Sequence, residues 1–344
     1  MQRVPQLKWA AHPWAALFLC CISQKDATRF NIGALLMEKY TNSMAGDTKF
    51  EADDVSYELT SQSLIHVDYI APPAAISDYV TTLYHFRCDE PKITDIQPAS
   101  VGHLSLFPYG KGEMHFRAGH SDPNPEVAVM TPLSTANPIV VDGPFHAIGA
   151  ALTPLGWAAL TGLHAGDNRD RLRDAGDILG ESATQVGEAL IAEYRAGTKT
   201  GEECALAIGE FIGGSVKRVN SRHAELIRVV NNWLGSSLSP DLGDLLERAA
   251  YSERQVQRLT ERYFGLSPQA LARKYRALRA AALLSFPSLT PEFEAELGEA
   301  FFDQSHMIRE INRFVGRTPA RLKNPDNPYL SEMIAPKNLR ELGS

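Results

Sequence analysis

Two stretches near the C-terminal end place the same hydrogen-bonding side chains at the same helical spacing, 51 residues apart. Ser252 matches Asp303, Arg258 matches Arg309, Arg262 matches Arg313, Tyr263 matches Phe314, Gly265 matches Gly316, and Ser267-Pro268 matches Thr318-Pro319. Wound as a helix, the first stretch turns Val256, Leu259 and Tyr263 inward and leaves Arg254, Gln255, Gln257, Arg258, Glu261 and Arg262 outward. The second turns Met307, Ile311 and Phe314 inward and leaves Gln304, Ser305, Arg309 and Arg313 outward. Arginine can donate two hydrogen bonds to the guanine edge and glutamine can pair twice with adenine, so helices carrying these faces can read base sequence in a major groove. A single such face is ordinary solvated surface. The same basic face made twice, each time after a short helix and a tight turn, favours the reading role.

Elsewhere the candidates for chemistry are sparse. His103, His115, His120 and Glu126 lie on or beside expected strands, a distribution found in metal-binding β-barrel enzymes. Their spacing departs from a close His-x-His pair, and Pro123 and Pro125 intervene before the Glu, so scattered surface and loop histidines are the better reading. No Ser-His-Asp, GxSxG, P-loop or GxGxxG pattern stands out, and neither catalysis nor a cofactor or metal is expected. His85 reads as a satisfied histidine and Trp157 as core, with an effector pocket as its alternative place. Cys20, Cys21, Cys88 and Cys204 have neither zinc nor disulfide spacing and suit a reducing cytosol.

The elements that must position the two basic faces divide the 344 residues in two. Residues 222–325 hold 15 Lys and Arg against 12 Asp and Glu, leaving 19 basic and 29 acidic residues elsewhere, so a basic C-terminal domain sits on an acidic remainder. Six helices are expected there: 222–234, 242–249, 252–264, 268–284, 291–300 and 303–315. Ser252, Ser267 and Asp303 stand as N-caps, and Gly265 and Gly316 as C-terminal caps. Residues 213–221, with two glycines, read as a linker, and 326–344 as a tail. Before them, helices near 154–160, 182–195 and 202–212 follow short apolar runs at 82–88, 101–107, 112–117, 127–130, 139–141 and 145–152. Met114 and Phe116 alternate with Glu113, His115 and Arg117, the period of a half-buried strand. Many short strands between turn signals predict an antiparallel barrel or sandwich over 58–212. Residues 1–57 carry no clear pattern and are assigned no fold, a disordered extension being the alternative to a structured one. Their apolar run Trp9–Ile22 is broken by His12-Pro13 and is too short to span a bilayer.

SERQVQRLTERYFGLSPQALARKYRALRAAALL followed by FFDQSHMIREINRFVGRTPARL resembles the paired helix-turn-helix domain of the AraC/XylS transcription regulators. Residues 301–306, Arg309 and Gly316-Arg317-Thr318-Pro319 follow that signature nearly residue by residue, and 146–192 more weakly resemble the end of a β-rich sensor domain. The resemblance implies an α+β chain: a barrel or cupin-like sensor with flanking helices, then an all-α domain with two helix-turn-helix units. It implies Arg254, Gln257 and Arg258 as base readers of the first unit and Gln304, Ser305, Ile308 and Arg309 of the second, with Arg262 closer to phosphate. The implied partners are double-stranded DNA, a small-molecule effector, a second copy of the chain and, for an activator, RNA polymerase, in the cytoplasm and away from membranes. Two departures stand out: Glu296 and Ala300 replace the usual Ala and Gly, and Leu246 an Ala. A charge at position 296 is expected to loosen the second unit.

Overall fold

The computed structural model describes residues 49–52, 55–58, 60–61, 64–284, 291–317 and 322. The apolar run 9–22, the tail and the Thr318-Pro319 match therefore lie outside the described residues. At the end of the segment assigned no fold, β1 (Lys49–Ala52) and β2 (Val55–Glu58) form a separate antiparallel pair.

The larger sheet is antiparallel and contains β3 (His66–Ile70), β4 (Val80–Cys88), β5 (Lys92–Gln97), β6 (His103–Phe116), β7 (His120–Pro123), β8 (Val127–Met130), β9 (Asn137–Leu152) and β10 (Leu172–Asp174). Two pairs of expected strands are each one long strand: 101–107 and 112–117 fuse in β6, 139–141 and 145–152 in β9. These two pair along most of their length, with register breaks around Tyr109. On its other edge β9 carries β4 along one half and β5 along the other. The main path runs β10–β8–β6–β9–β4–β3, the antiparallel sheet domain that the short strands predict.

Side-chain parity explains the two faces of this sheet. Leu83, Leu104, Leu106, Ile148, Ala150 and Leu152 point to one side, where they pack with α1 (Pro154–Thr161), α4 (Glu181–Arg195) and α5 (Gly201–Ser215). Thr82, Tyr84, Phe86, His103, Ser105 and Phe107 point to the other and line a cavity. Between α1 and α4 lie two short helices, α2 (Ala165–Asn168) and α3 (Ala175–Leu179). Trp157 is 1% exposed, in the helix-side core.

The C-terminal domain is helical: α6 (Ser221–Gly235), α7 (Leu242–Arg248), α8 (Glu253–Phe264), α9 (Pro268–Leu284), α10 (Pro291–Ala300) and α11 (Gln304–Val315). The glycine-bearing segment expected as linker belongs in part to α5, which runs through Gly213 and Gly214 to Ser215, so the connection shortens to 216–220. Glycine lowers helix propensity by only about 1 kcal/mol, and here Gly213 lies against Ile76, so packing overrides it. No helix among the described residues is long and apolar enough to cross a membrane.

Candidate nucleic-acid interface

In the first unit, Asp241 caps α7 by accepting from Gly243 N at 2.7 Å, and its carbonyl takes the Trp233 indole N–H at 2.6 Å. At the start of α8 the Gln255 side chain reaches back to the Ser252 N–H at 3.1 Å and hydroxyl at 3.0 Å, satisfying an otherwise orphaned donor. Gly265, at φ 85, closes the helix. Val256, Leu259 and Tyr263 are buried, and Arg254, Gln257, Arg258 and Arg262 are exposed on the opposite stripe. His223 of α6 bonds the Tyr263 hydroxyl at 2.6 Å; burial first, then Arg262 and Arg258, lowers its pKa, so the position adds no charge to the face at neutral pH.

The second unit repeats the plan with a different start. Asp303 accepts from His306 N at 2.7 Å, and Gly316, at φ 76, closes α11. Met307, Ile311 and Phe314 are buried, Ser305, Arg309 and Arg313 are exposed, and Gln304 and Ile308 are half-buried. Beneath α11 lies a pair missed by the sequence reading: Arg276 of α9 donates to both Glu310 oxygens at 2.7 Å and stands over the Phe301 ring at 5.1 Å. The 51-residue register sets Glu310 opposite Leu259, a core position, and a carboxylate there signals a buried cation. Glu296 does not sit in an apolar gap. Half-buried on α10, it accepts from Leu238 N at 3.3 Å and offsets part of the burial that lowers the Arg279 pKa.

Both units are docked onto the sheet domain. Arg169 donates to the Gly265 carbonyl at the end of α8 at 3.1 Å. Lys274 of α9, 3% exposed, donates to the carbonyls of Ser100 at 2.8 Å and Leu133 at 2.9 Å. At the end of α11, Ala99 N donates to Phe314 O at 2.8 Å and Ala136 N to Arg313 O at 2.9 Å. Arg317, just beyond, pairs with Asp95 of β5 and donates to Ile96 O at 3.2 Å. A side chain at Gly316 would collide with Ile96, so the glycine serves both the cap and the docking.

The proposed metal-site histidines are scattered. His103 bonds the Tyr84 hydroxyl at 3.3 Å, His115 lies 3.5 Å from Glu113, His120 bonds Asp170 O at 3.1 Å, and Glu126 accepts from Arg195 at 2.5 Å. Among the described residues no group of three or more His, Cys, Asp or Glu is placed to hold a metal ion. His85 bonds the Tyr194 hydroxyl at 2.9 Å, and the same hydroxyl meets His146 at 2.8 Å.

The cavity has a volume of about 160 Å³ and lies between the sheet and α9, which contributes Lys274, Tyr275 and Leu278. Its walls are largely apolar. Its polar corner is Tyr84, bonded to Ser105 at 2.8 Å, beside His103, whose pKa burial and then Lys274 push down to about 4.

Residues 245–324 match a helix-turn-helix domain family. No curated protein matches the chain. Among solved structures, ToxT from Vibrio cholerae is similar over 75% of this chain and 97% of its own, at 10% identity and a TM-score of 0.42. ToxT from V. cholerae O395 bound to (E)-4-(8-methylnaphthalen-1-yl)but-3-enoic acid has the same coverage, identity and score. The AraC-like transcriptional activator CuxR is similar over 63% of this chain and 87% of its own, at 12% identity and a TM-score of 0.28.

Proposed function

We infer from its AraC-type helix-turn-helix domain, residues 245–324, that this chain is a DNA-binding transcription regulator, and we propose that α8 and α11 read two adjacent segments of one duplex. The observation that carries the reading is the pair of exposed basic stripes, Arg254, Gln257, Arg258 and Arg262 on α8 and Ser305, Arg309 and Arg313 on α11, in two units with the long helix α9 between them. That helix has 17 residues, and at about 1.5 Å each it spans roughly 25 Å. Gln304 and Ile308, half-buried, take lesser shares of the contact in the second segment. Arg262 and Arg313 lie farther along their helices and serve phosphates. Selection of duplexes by the full-length chain from a random pool tests this, with enrichment of two segments about one helical turn apart as the expected result. Affinity should fall with salt at a log-log slope near -5 if about six phosphates are contacted. A pool without enrichment, or a flat salt response, refutes the reading.

The cavity supports a second element, a small-molecule effector. About 160 Å³ is room for a single aromatic ring. The polar corner combines a neutral His103, the Tyr84 hydroxyl and the buried Lys274 ammonium, which two main-chain carbonyls hold in place. The ligand class is therefore a one-ring molecule whose polar group faces Tyr84, His103 and Lys274. At least one of benzyl alcohol and benzoate should raise the melting temperature; a shift with neither would refute this ligand class.

A further inference from the structure

We propose that Phe302 contacts a thymine methyl group in the segment read by α11, so that the second unit recognises thymine through an aromatic ring as well as through hydrogen bonds. This rests on the DNA reading above. Phe302 is 94% exposed, whereas the other exposed large hydrophobic side chains among the described residues, Leu64 and Val186, are 41% and 37% exposed. Its neighbour Phe301 is 6% exposed and occupies the core position, edge-on to His306. The chain thus keeps one ring in and leaves the next in water, immediately before the Asp303 cap of α11. A recognition helix presents its N-terminal residues to the base edges. Thymine displays a methyl group in the major groove, and an apolar side chain is the group suited to it.

The first unit supplies a built-in comparison. In the 51-residue register Phe302 corresponds to Tyr251, which is half-buried with its ring 6.4 Å from that of His223. One aromatic ring is folded back and its counterpart is left out. The preference for a thymine methyl is accordingly assigned to the second segment alone.

The test uses the full-length chain and the duplex it enriches most from a random pool. Each thymine of both segments is replaced singly by deoxyuridine, which removes only the C5 methyl group. Covering one methyl corresponds to about a fourfold change in affinity, so the wild type should lose about fourfold at one position of the second segment. Phe302→Ala should lose a similar factor on the parent duplex and become indifferent to uracil there, while Phe302→Leu keeps most of the discrimination. At this exposure neither substitution disturbs the core. A wild type indifferent to every replacement overturns the inference while leaving the DNA reading intact. So does a Phe302→Ala variant that still discriminates, or one that binds DNA as the wild type does but fails to activate transcription, which would set the ring against a protein. If no duplex is enriched, the DNA reading fails and this contact with it.

Discussion

Replacing Asp95 by Ala should do more to this protein than any single change on its basic faces. Asp95 and Arg317 have side chains 3% and 1% exposed, and the carboxylate also accepts from Ile96 N at 2.7 Å. Asp95→Ala leaves the guanidinium buried with the Ile96 carbonyl as its one remaining bond among the described residues, since Arg317 Nε has none. Removing one partner of a buried ion pair costs about 3–5 kcal/mol, because the other charge stays desolvated. That is a sizeable part of the roughly 5–15 kcal/mol that holds a typical domain folded. The chain has one escape, which is to undock α11 from the sheet and let water reach Arg317. The loss is therefore bounded by the docking free energy. Two amides report which occurs: Ala99 N and Ala136 N donate to Phe314 and Arg313 carbonyls across this contact, and they exchange only when it opens. Urea unfolding together with hydrogen exchange at these amides should show a large loss of stability or of their protection. The double variant Asp95→Leu/Arg317→Met, with no charge left to strand, should recover most of it. A change under about 0.5 kcal/mol in Asp95→Ala with unaltered protection would refute the reasoning, since exposed substitutions fall in that range.

On the reading faces, Arg258→Ala and Arg309→Ala should each cost about 1–3 kcal/mol of DNA affinity and relax base preference in different segments, as read by binding selection. Equal losses without a change in preference at either segment would show that these helices do not read bases. For pH, burial lowers the pKa of His85 to about 4, from 6.5 in the unfolded chain. Between those values the unfolded state binds the extra proton, so its contribution is present above pH 6.5 and is lost as pH falls toward 4. It amounts to about 3 kcal/mol at most, at 1.36 kcal/mol per unit. Urea midpoints should fall between pH 7.5 and pH 5, and less steeply in His85→Gln; identical slopes in the two proteins would contradict this.

The helical domain was legible residue by residue because its signals are local. Caps at Ser252, Asp303, Gly265 and Gly316 and the inward triplets Val256-Leu259-Tyr263 and Met307-Ile311-Phe314 all lie within one or two turns of what they specify. The sheet was half legible. Alternation identified the face of Met114 and Phe116, yet the apolar runs on either side of residues 108–111 gave no reason to join them, because the strand continues through its register breaks on the support of its partner β9. The docking was not legible at all. Asp95, Lys274 and Arg317 are charged residues whose burial depends on partners between 141 and 222 residues away. The 51-residue register contained one usable hint, Glu310 opposite Leu259.

That docking bears on what the helical domain does alone. Its core, from Leu226 and Trp233 through Leu271 and Leu278 to Ile311 and Val315, is built almost entirely from its own helices, with Ala99 the one fully buried contribution from the sheet domain. A fragment covering residues 213–327 therefore keeps the packing that folds it. What it uncovers includes the cavity-facing Tyr275 and Leu278 and the charged Lys274 and Arg317, and a cation returned to water regains its hydration rather than standing unpaired in a low dielectric. The fragment should fold with helical circular dichroism and bind duplex DNA at low salt. The partner it lacks holds the ends of α8 and α11, through Arg169 on Gly265 and Ala99 and Ala136 on the end of α11, so only the helical domain's own packing around α9 then fixes their separation. The expected difference is one of tolerance: the fragment should accept duplexes in which the two segments are moved one base pair closer or farther, where the full chain discriminates against them. A fragment that discriminates as sharply as the full chain would mean that the helical domain alone sets the spacing and that the docked sheet domain adds nothing to it. A helical fragment that binds no duplex at low salt would instead remove the basis for assigning DNA binding to these helices.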